Sequence, residues 1–236
     1  MSGVFITFEG IEGCGKTTQI KRLANRLDEL KYNATLIREP GGTDIGEAIR
    51  EIVKHPPGDA PISACTELLL MNASRAELIQ QIIQPALTKG HAVLCDRFYD
   101  STLAYQGYGR QLDLKKVHQA IELAIGNTKP NLTLLLDIPL EVSTERVKDR
   151  QLKSNETNDQ FDRSGELFFK RVLDGFKTLA KAEPLPSPSK KFFSLSIAVF
   201  PSGLGPVCLG FFNFGSLTFG ASLFTFFNFG RFNPTC

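Results

Sequence analysis

Residues 4–17 read Val-Phe-Ile-Thr-Phe-Glu-Gly-Ile-Glu-Gly-Cys-Gly-Lys-Thr, and these residues are the most informative part of the sequence about the fold. It begins with a short apolar run, residues 4–8, which predicts a β-strand. Residues 10–17 then match the pattern G-x-x-x-x-G-K-[ST]. A helix is predicted directly afterwards, because apolar side chains recur on one stripe at Ile20, Leu23, Ala24, Leu27 and Leu30. Between a strand and a helix, this pattern predicts a loop that cradles the phosphates of a nucleotide.

The glycines of this loop allow a tight turn whose backbone N–H groups point at phosphate oxygens. Lys16 is expected to reach the β- and γ-phosphates, and the Thr17 hydroxyl is expected to ligate Mg²⁺. We expect nucleotide contacts from Gly10, Ile11, Glu12, Gly13, Cys14, Gly15, Lys16, Thr17 and Thr18. The motif alone does not distinguish a small-molecule kinase from a GTPase or a motor-type ATPase.

Three further apolar runs predict strands at residues 34–37, 92–95 and 132–137, and helix-patterned sequence separates them. Short apolar strands that alternate with helices predict an α/β fold, in which a parallel sheet is covered by helices on both faces. In such sheets, ligands bind at the carboxyl ends of the strands. Polar segments follow two of these strands, namely REPGGT at 38–43 and DRF at 96–98 with STLAYQG at 101–107.

These segments favour a kinase with two phosphate-bearing substrates over the other nucleotide-binding classes. Guanine-binding proteins usually carry an N-K-x-D string, and the nearest string here, NTKP at residues 127–130, lacks the aspartate. The sequence also has no LSGGQ string, which marks ABC-type ATPases. Arg38 and Arg97 follow strand ends, and a guanidinium is a planar fork that fits a phosphate bidentately. A second anion site is therefore predicted beside the first.

FEGIEGCGKTTQ, REPGGT, and CDRF with STLAYQG resemble the signature segments of bacterial-type thymidylate kinases, in the same order and spacing. The resemblance extends from about Val4 to Ala182 and includes NLTLLLDIP at 131–139. It implies a fold like that of the P-loop nucleoside-monophosphate kinases. It also implies that ATP and Mg²⁺ are used to phosphorylate dTMP, giving dTDP and ADP, and that the protein is a homodimer.

The resemblance implies roles for individual residues of the acceptor site. Arg38 and Arg97 would hold the dTMP phosphate, and Glu12 would contact the sugar 3′-hydroxyl and phosphate region. Arg75 would point to the thymine edge, and Met71 stands where the family has a phenylalanine that stacks on the base. The acceptor pocket would also be lined by Ser101, Thr102, Tyr105 and Gln106.

Asp96 ends an apolar strand, as the acid of a Walker B element does, and is expected to act on Mg²⁺ through water or to fix Arg97. The phosphate loop has no arginine, and family members of that kind use arginines from a mobile lid. The polar stretch at about 150–163 is the predicted lid, with Arg150 ranked first and Arg163 second as catalytic residues. Arg146 has the alternative of pairing with Glu141 or Glu145 along its helix.

Composition indicates which partners to expect. The chain has 27 basic and 25 acidic residues, which gives a net charge of +2. A charge this small favours neither nucleic acid nor a membrane as partner. The five cysteines are scattered, and the N-terminus lacks the pattern of a signal peptide. These features predict a cytoplasmic protein.

The chain divides into a kinase-like domain at 1–183 and a tail at 184–236. The tail has no Asp or Glu and holds 12 of the 19 phenylalanines. We interpret it as an aberrant, out-of-frame C-terminus that replaces the last strand and helix of the family; a membrane-associating tail is the alternative. The strand at 132–137 would then lie at the sheet edge, unless residues 193–200 take the vacant place.

Three functional hypotheses remain open from the sequence. The first is an active dTMP kinase. The second is a nucleotide-binding protein that has lost turnover because of its tail, and the third is a kinase for another monophosphate, for which Met71 is the sign.

Overall fold

A parallel β-sheet forms the centre of the molecule in the computed structural model, which describes residues 3–58, 61–154, 161, 164–182 and 191–196. The strands are β1 (Val4–Glu9), β2 (Ala34–Arg38), β3 (Ala92–Asp96), β4 (Leu132–Asp137) and β5 (Lys191–Ser196). They lie side by side in the order β2-β3-β1-β4-β5, and every neighbouring pair is parallel. The predicted fold class is confirmed.

Helices connect the strands. They are α1 (Lys16–Glu29), α2 (Asp44–Lys54), α3 (Ala64–Leu78), α4 (Gln84–Thr88), α5 (Tyr99–Thr102), α6 (Leu114–Ile125), α7 (Leu140–Ser154) and α8 (Glu166–Ala182). Two π-helical segments interrupt this pattern, π1 (Ile79–Ile83) after α3 and π2 (Leu103–Gly109) after α5. None of the helices in the described ranges is long and apolar enough to cross a membrane.

The two faces of the sheet bury separate apolar cores, because successive residues of a strand point to opposite faces. In β1, Phe5 belongs to a core that also holds Val93 and Leu78, whereas Ile6 belongs to one that holds Leu94 and Phe176. A strand that is apolar on both faces can be buried only between two layers of helices. The continuous apolar runs of the sequence therefore reflect the three-layer architecture.

The register of the sheet positions the polar ends of the strands. Phe8 of β1 lies beside Asp96 of β3, and Asp96 lies beside Arg38 of β2. The phosphate loop, the segment after Asp96 and the segment after Arg38 thus begin at one edge of the sheet, as expected from its parallel strands.

The outer neighbour of β4 comes from the tail. Leu132–Asp137 pairs in parallel with Lys191–Ser196, so β4 is not the edge of the sheet. The expectation of an unpaired β4 is therefore wrong, and the strand that covers it overlaps residues 193–200, which the sequence offered as the alternative. The remaining tail residues lie outside the described part of the chain.

Candidate active site

The phosphate loop closes around the side chain of Lys16. Gly10, Gly13 and Gly15 have φ angles of 133°, 69° and 96°, in the region that L side chains rarely adopt. Helix α1 begins at Lys16 itself, so the N–H groups of its first turn face the loop. The buried Lys16 Nζ donates to the carbonyl oxygens of Gly10 at 3.1 Å and Ile11 at 3.0 Å. Amide donors and a cation are therefore concentrated at one point, as an anion requires.

Thr17 and Asp96 meet at the end of β3. The Thr17 hydroxyl donates to Asp96 Oδ2 at 2.9 Å, which joins the first turn of α1 to the strand end. A hydroxyl and a carboxylate oxygen are the hard donors that Mg²⁺ prefers. This pair fits a magnesium ion bound beside a polyphosphate.

Arg97 lies against the same loop, although it follows a different strand. Its Nη1 donates to the carbonyl oxygen of Gly10 at 2.9 Å and to Ser101 Oγ at 3.2 Å. Its guanidinium also lies over the ring of Tyr105, with the carbon 5.1 Å from the ring centroid. Burial tends to lower the pKa of Arg97. The neighbouring Tyr105 and Asp96 oxygens outweigh this effect, so the net shift is upward and Arg97 stays a cation. Arg97 and Lys16 thus share one acceptor, the Gly10 carbonyl.

The backbone of Arg97 is strained, with φ at 71°. For a residue other than glycine this conformation costs of order 1–3 kcal/mol. With this backbone conformation, the Arg97 side chain reaches the Gly10 carbonyl of the phosphate loop.

A buried glutamate that the sequence analysis did not single out supports Arg97. Glu9 is fully buried and accepts hydrogen bonds from the Phe98 N–H at 2.8 Å and from Ser101 Oγ at 2.5 Å. Burial, and next the charge of Asp100, raise the pKa of Glu9 to about 8. Its place as the last residue of β1, directly before Gly10, was the signal available in the sequence.

Arg38 forms an ion pair with Glu47 of α2. Its two terminal nitrogens donate to the two Glu47 oxygens at 2.7 and 2.9 Å. The Arg38 hydrogen bond lowers the pKa of Glu47 to about 2, against the opposing effect of burial. Arg38 is half-exposed and lines a shallow depression together with Thr17 and Asp96.

The other acceptor residues line one cavity next to the phosphate loop. Glu12, Met71, Arg75, Arg97, Ser101, Thr102, Tyr105 and Gln106 all lie on its wall. The structure thus brings together the residues that sequence placed in the acceptor site, with Arg38 beside rather than inside the cavity. Further lining residues that the sequence did not indicate are Arg50, Lys54 and Phe161.

Arg75 forms the floor of this cavity as a buried ion pair. Its Nε donates to Glu39 Oε2 at 2.9 Å, and Nη2 lies 2.8 Å from the same oxygen and donates to Thr102 Oγ1 at 2.9 Å. Burial raises the pKa of Glu39 despite the opposing charge of Arg75. Side chains of α5 and of the segment after β2 therefore fix the guanidinium of Arg75 in one place.

Helix α7 closes the loop from the other side. Arg150 forms an ion pair with Glu12, and burial, which tends to raise the pKa of Glu12, is outweighed by this hydrogen bond and charge, which lower it. Arg146 Nη1 donates to the Gly13 carbonyl at 3.1 Å, so its contact is with the loop and not with Glu141 or Glu145. Arg163 lies outside the described residues.

The chain is similar to known proteins along most of its length. A family model described as thymidylate kinase matches residues 8–185. A thymidylate kinase of Geobacter sulfurreducens is 49% identical over 184 residues, covering 77% of this chain and 85% of the relative. One of Synechococcus is 50% identical over 181 residues, with 77% and 82% covered. The crystal structure of thymidylate kinase from Ehrlichia chaffeensis superimposes with a TM-score of 0.65 at 34% identity, covering 86% of this chain and 92% of that one.

Proposed function

Because this chain belongs to the thymidylate kinase family, we propose how its residues divide the work of that reaction. The protein transfers the γ-phosphoryl group of ATP to dTMP, giving dTDP and ADP. Phosphoryl transfer needs little covalent chemistry from the protein, so catalysis depends on positioning and on stabilising the charge of the transferred group.

ATP binds with its phosphates in the loop of residues 10–18. The backbone N–H groups of the loop and of the first turn of α1 hold the phosphate oxygens, and Lys16 stabilises charge on the β- and γ-phosphates. Lys16 must release the Gly10 and Ile11 carbonyls to do so. Thr17 and Asp96 would hold Mg²⁺, which neutralises phosphate charge when bound.

dTMP binds in the cavity beside the loop. Arg97 holds its phosphate, and Arg38 adds a second cation at the rim, once it exchanges Glu47 for the phosphate. Arg75 faces the base, Met71 covers the base plane, and Tyr105 lies at the sugar. A thioether covers an aromatic face with less fixed geometry than a phenyl ring, so we expect base stacking to be weaker here.

The strongest support for this proposal is the contact that Lys16 and Arg97 share at Gly10. One carbonyl oxygen accepts hydrogen bonds from Lys16, the donor-site cation, and from Arg97, the acceptor-site cation. Two cations that touch the same atom can hold two phosphates close enough for direct transfer. Arg150, which reaches the loop through Glu12, is the arginine that we expect to stabilise the group in transfer.

A coupled assay of ADP release tests the function, with dTMP, dUMP, CMP and AMP as acceptors. We expect turnover with dTMP to exceed that with the other three. ATP binding without turnover would favour the inactive-protein hypothesis, and preference for another acceptor would show that Met71 accompanies a changed base choice.

We also propose that the protein is a homodimer that acts in the cytoplasm. Helices α2, α3 and α6 pack side by side. They expose apolar side chains at Ile45, Ile52, Leu69 and Leu123. Such a group of exposed apolar residues is typical of a contact surface. Cys14, Cys65 and Cys95 are free thiols, as in proteins of reducing compartments.

A further inference from the structure

A buried carboxylate lies behind the wall of the acceptor cavity and contacts a residue of that wall. Glu67 of α3 has no exposed surface, and its Oε1 accepts a hydrogen bond from Gln106 Nε2 at 2.7 Å. Glu67 lies four residues before Met71 and eight before Arg75, on the face of α3 that those two residues share. It therefore connects the helix that carries the base contacts to Gln106 on π2.

Glu67 is held in place by a second contact, with Arg110. Arg110 donates from Nη2 to Glu67 Oε2 at 3.0 Å and from Nε to Oε1 at 3.3 Å. Arg110 is itself fixed, because its guanidinium carbon lies 4.5 Å from the ring centroid of Phe168 and its Nη1 donates to Ser164 Oγ at 3.2 Å. Both Glu67 oxygens therefore act as hydrogen-bond acceptors toward Arg110, as in a paired carboxylate.

This contact determines which way round the Gln106 amide lies. An amide side chain has an NH₂ group and a carbonyl group of nearly equal size. Either group can face a given neighbour, and hydrogen bonds with that neighbour select the orientation. Gln106 Nε2 donates to Glu67 Oε1, so the NH₂ arm faces Glu67. The carbonyl arm is then directed away from Glu67, and the second N–H of the same amide is left for another acceptor.

We infer that Glu67 is a positioning residue for base selection, because it fixes Gln106 with an acceptor and a donor toward the base. This inference rests on the proposed function, since Gln106 lines the cavity assigned to dTMP. The edge of thymine carries an N3–H donor beside the O4 acceptor, and both match the fixed amide. Cytosine and adenine present the reverse pattern, an acceptor nitrogen beside an amino group, so they meet two mismatched contacts.

The test is Glu67→Gln, which preserves shape but offers Gln106 either a donor or an acceptor. We expect kcat/KM for dTMP to fall about tenfold relative to that for dCMP, as for the loss of one oriented hydrogen bond. The KM for ATP should stay unchanged. Glu122→Gln, at an exposed glutamate of α6, is the matched control and should change neither ratio.

A double-mutant cycle separates positioning from general structural support. In a Gln106→Ala background, Glu67→Gln should no longer alter the ratio of dTMP to dCMP turnover, because the amide on which it acts is gone. Glu67→Asp, which withdraws the carboxylate by one methylene, is made in parallel in case Glu67→Gln does not fold, and it should lower the same ratio.

An unchanged ratio in either folded variant, or an equal effect with and without Gln106, would overturn the inference. Wild-type protein is assayed alongside. Failure of the wild type to phosphorylate dTMP would instead contradict the proposed function, so the two failures are distinguishable.

Discussion

At the scale of single residues, the acceptor site is built on buried polar and charged groups that hold one another in place. Arg75 pairs with Glu39, Arg110 with Glu67, and Arg97 contacts Ser101, which Glu9 holds. Replacing one member of either ion pair, Arg75–Glu39 or Arg110–Glu67, leaves the other charge buried without a partner, which costs about 3–5 kcal/mol. The ion pairs therefore fix the directions of the guanidinium groups, and substitutions at these residues destabilise the protein.

Glu9 makes the stability of the protein depend on pH. Its pKa is raised in the folded protein to about 8, so between its unfolded value and about pH 8 the folded state binds more protons than the unfolded state. The contribution of Glu9 to stability is thus complete below about pH 4.5 and is lost as the pH rises toward 8. Glu9→Gln, which does not titrate, should flatten this part of the profile.

Urea denaturation of both proteins at several pH values between 5 and 8 measures the slope. We expect the free energy of unfolding to fall with pH by about 1–3 kcal/mol more in the wild type than in Glu9→Gln. Parallel profiles for the two proteins would contradict a neutral Glu9.

At the scale of elements, the segment π2 joins the acceptor cavity to helix α8. Tyr105 of π2 lines the cavity, and its ring packs edge-on against Phe168 and Phe176 of α8. The carbonyl of Gly109, the last residue of π2, accepts two hydrogen bonds from Arg171. A π-helical turn widens the helix locally and often occurs at functional sites, and here it places Tyr105 and Gln106 together on the cavity wall.

Substitutions at two glycines of π2, Gly107 and Gly109, test how closely π2 packs on α8. A Cβ at Gly109 would lie 2.6 Å from the Phe168 ring and 2.8 Å from Val172, neither of which can move away easily. A Cβ at Gly107 would meet only the tip of the partly exposed Leu114, at 2.7 Å. We expect Gly109→Ala to lower the free energy of unfolding by about 1–3 kcal/mol, and Gly107→Ala to change it by about 0.5 kcal/mol or less.

Denaturant midpoints of the two variants measure this difference, and equal midpoints would mean that π2 and α8 do not pack as described. Because Tyr105 and Gln106 lie on π2, we also expect Gly109→Ala to raise the KM for dTMP more than Gly107→Ala does.

At the scale of the whole molecule, the sequence predicted those features that depend on neighbouring residues. The phosphate loop could be predicted because its glycines, Lys16 and Thr17 act as a local unit between a strand and a helix. The partners of Arg38 and Arg75 could not, since Glu47 and Glu39 are brought to them by the chain reversal after β2 and by the packing of α3. Glu67 and Arg110 carry no motif, and their relation to Gln106 exists only in three dimensions.

The exposed apolar residues of α2, α3 and α6 predict the assembly state. Leu69→Glu should convert a dimer to a monomer, because a charge would have to be buried at the contact without a partner. Leu167→Glu, on the exposed side of α8, is the matched control and should leave the mass unchanged. Light scattering coupled to gel filtration measures both. A dimer that survives Leu69→Glu would place the contact elsewhere.

The tail is tested by two truncations. A chain that ends at Ala182 lacks β5, which exposes the apolar strand β4 as a sheet edge and favours aggregation. A chain that ends at Phe200 keeps β5. We expect the longer version to remain monodisperse and active with dTMP and the shorter one to aggregate. Equal behaviour of the two would show that Lys191–Ser196 does not stabilise the sheet.

Direct phosphoryl transfer requires that the donor and acceptor phosphate sites adjoin at Gly10. The direct measurement is calorimetric binding of a bisubstrate compound, in which a polyphosphate chain joins the 5′-oxygens of adenosine and thymidine. We predict that one molecule binds per chain, excludes both ATP and dTMP, and binds about 100-fold more weakly to Arg97→Lys, which cannot form the bidentate contact. Arg26→Lys, at an exposed arginine of α1, should bind it normally. Displacement of only one of the two nucleotides, or binding of two compounds per chain, would contradict the claim.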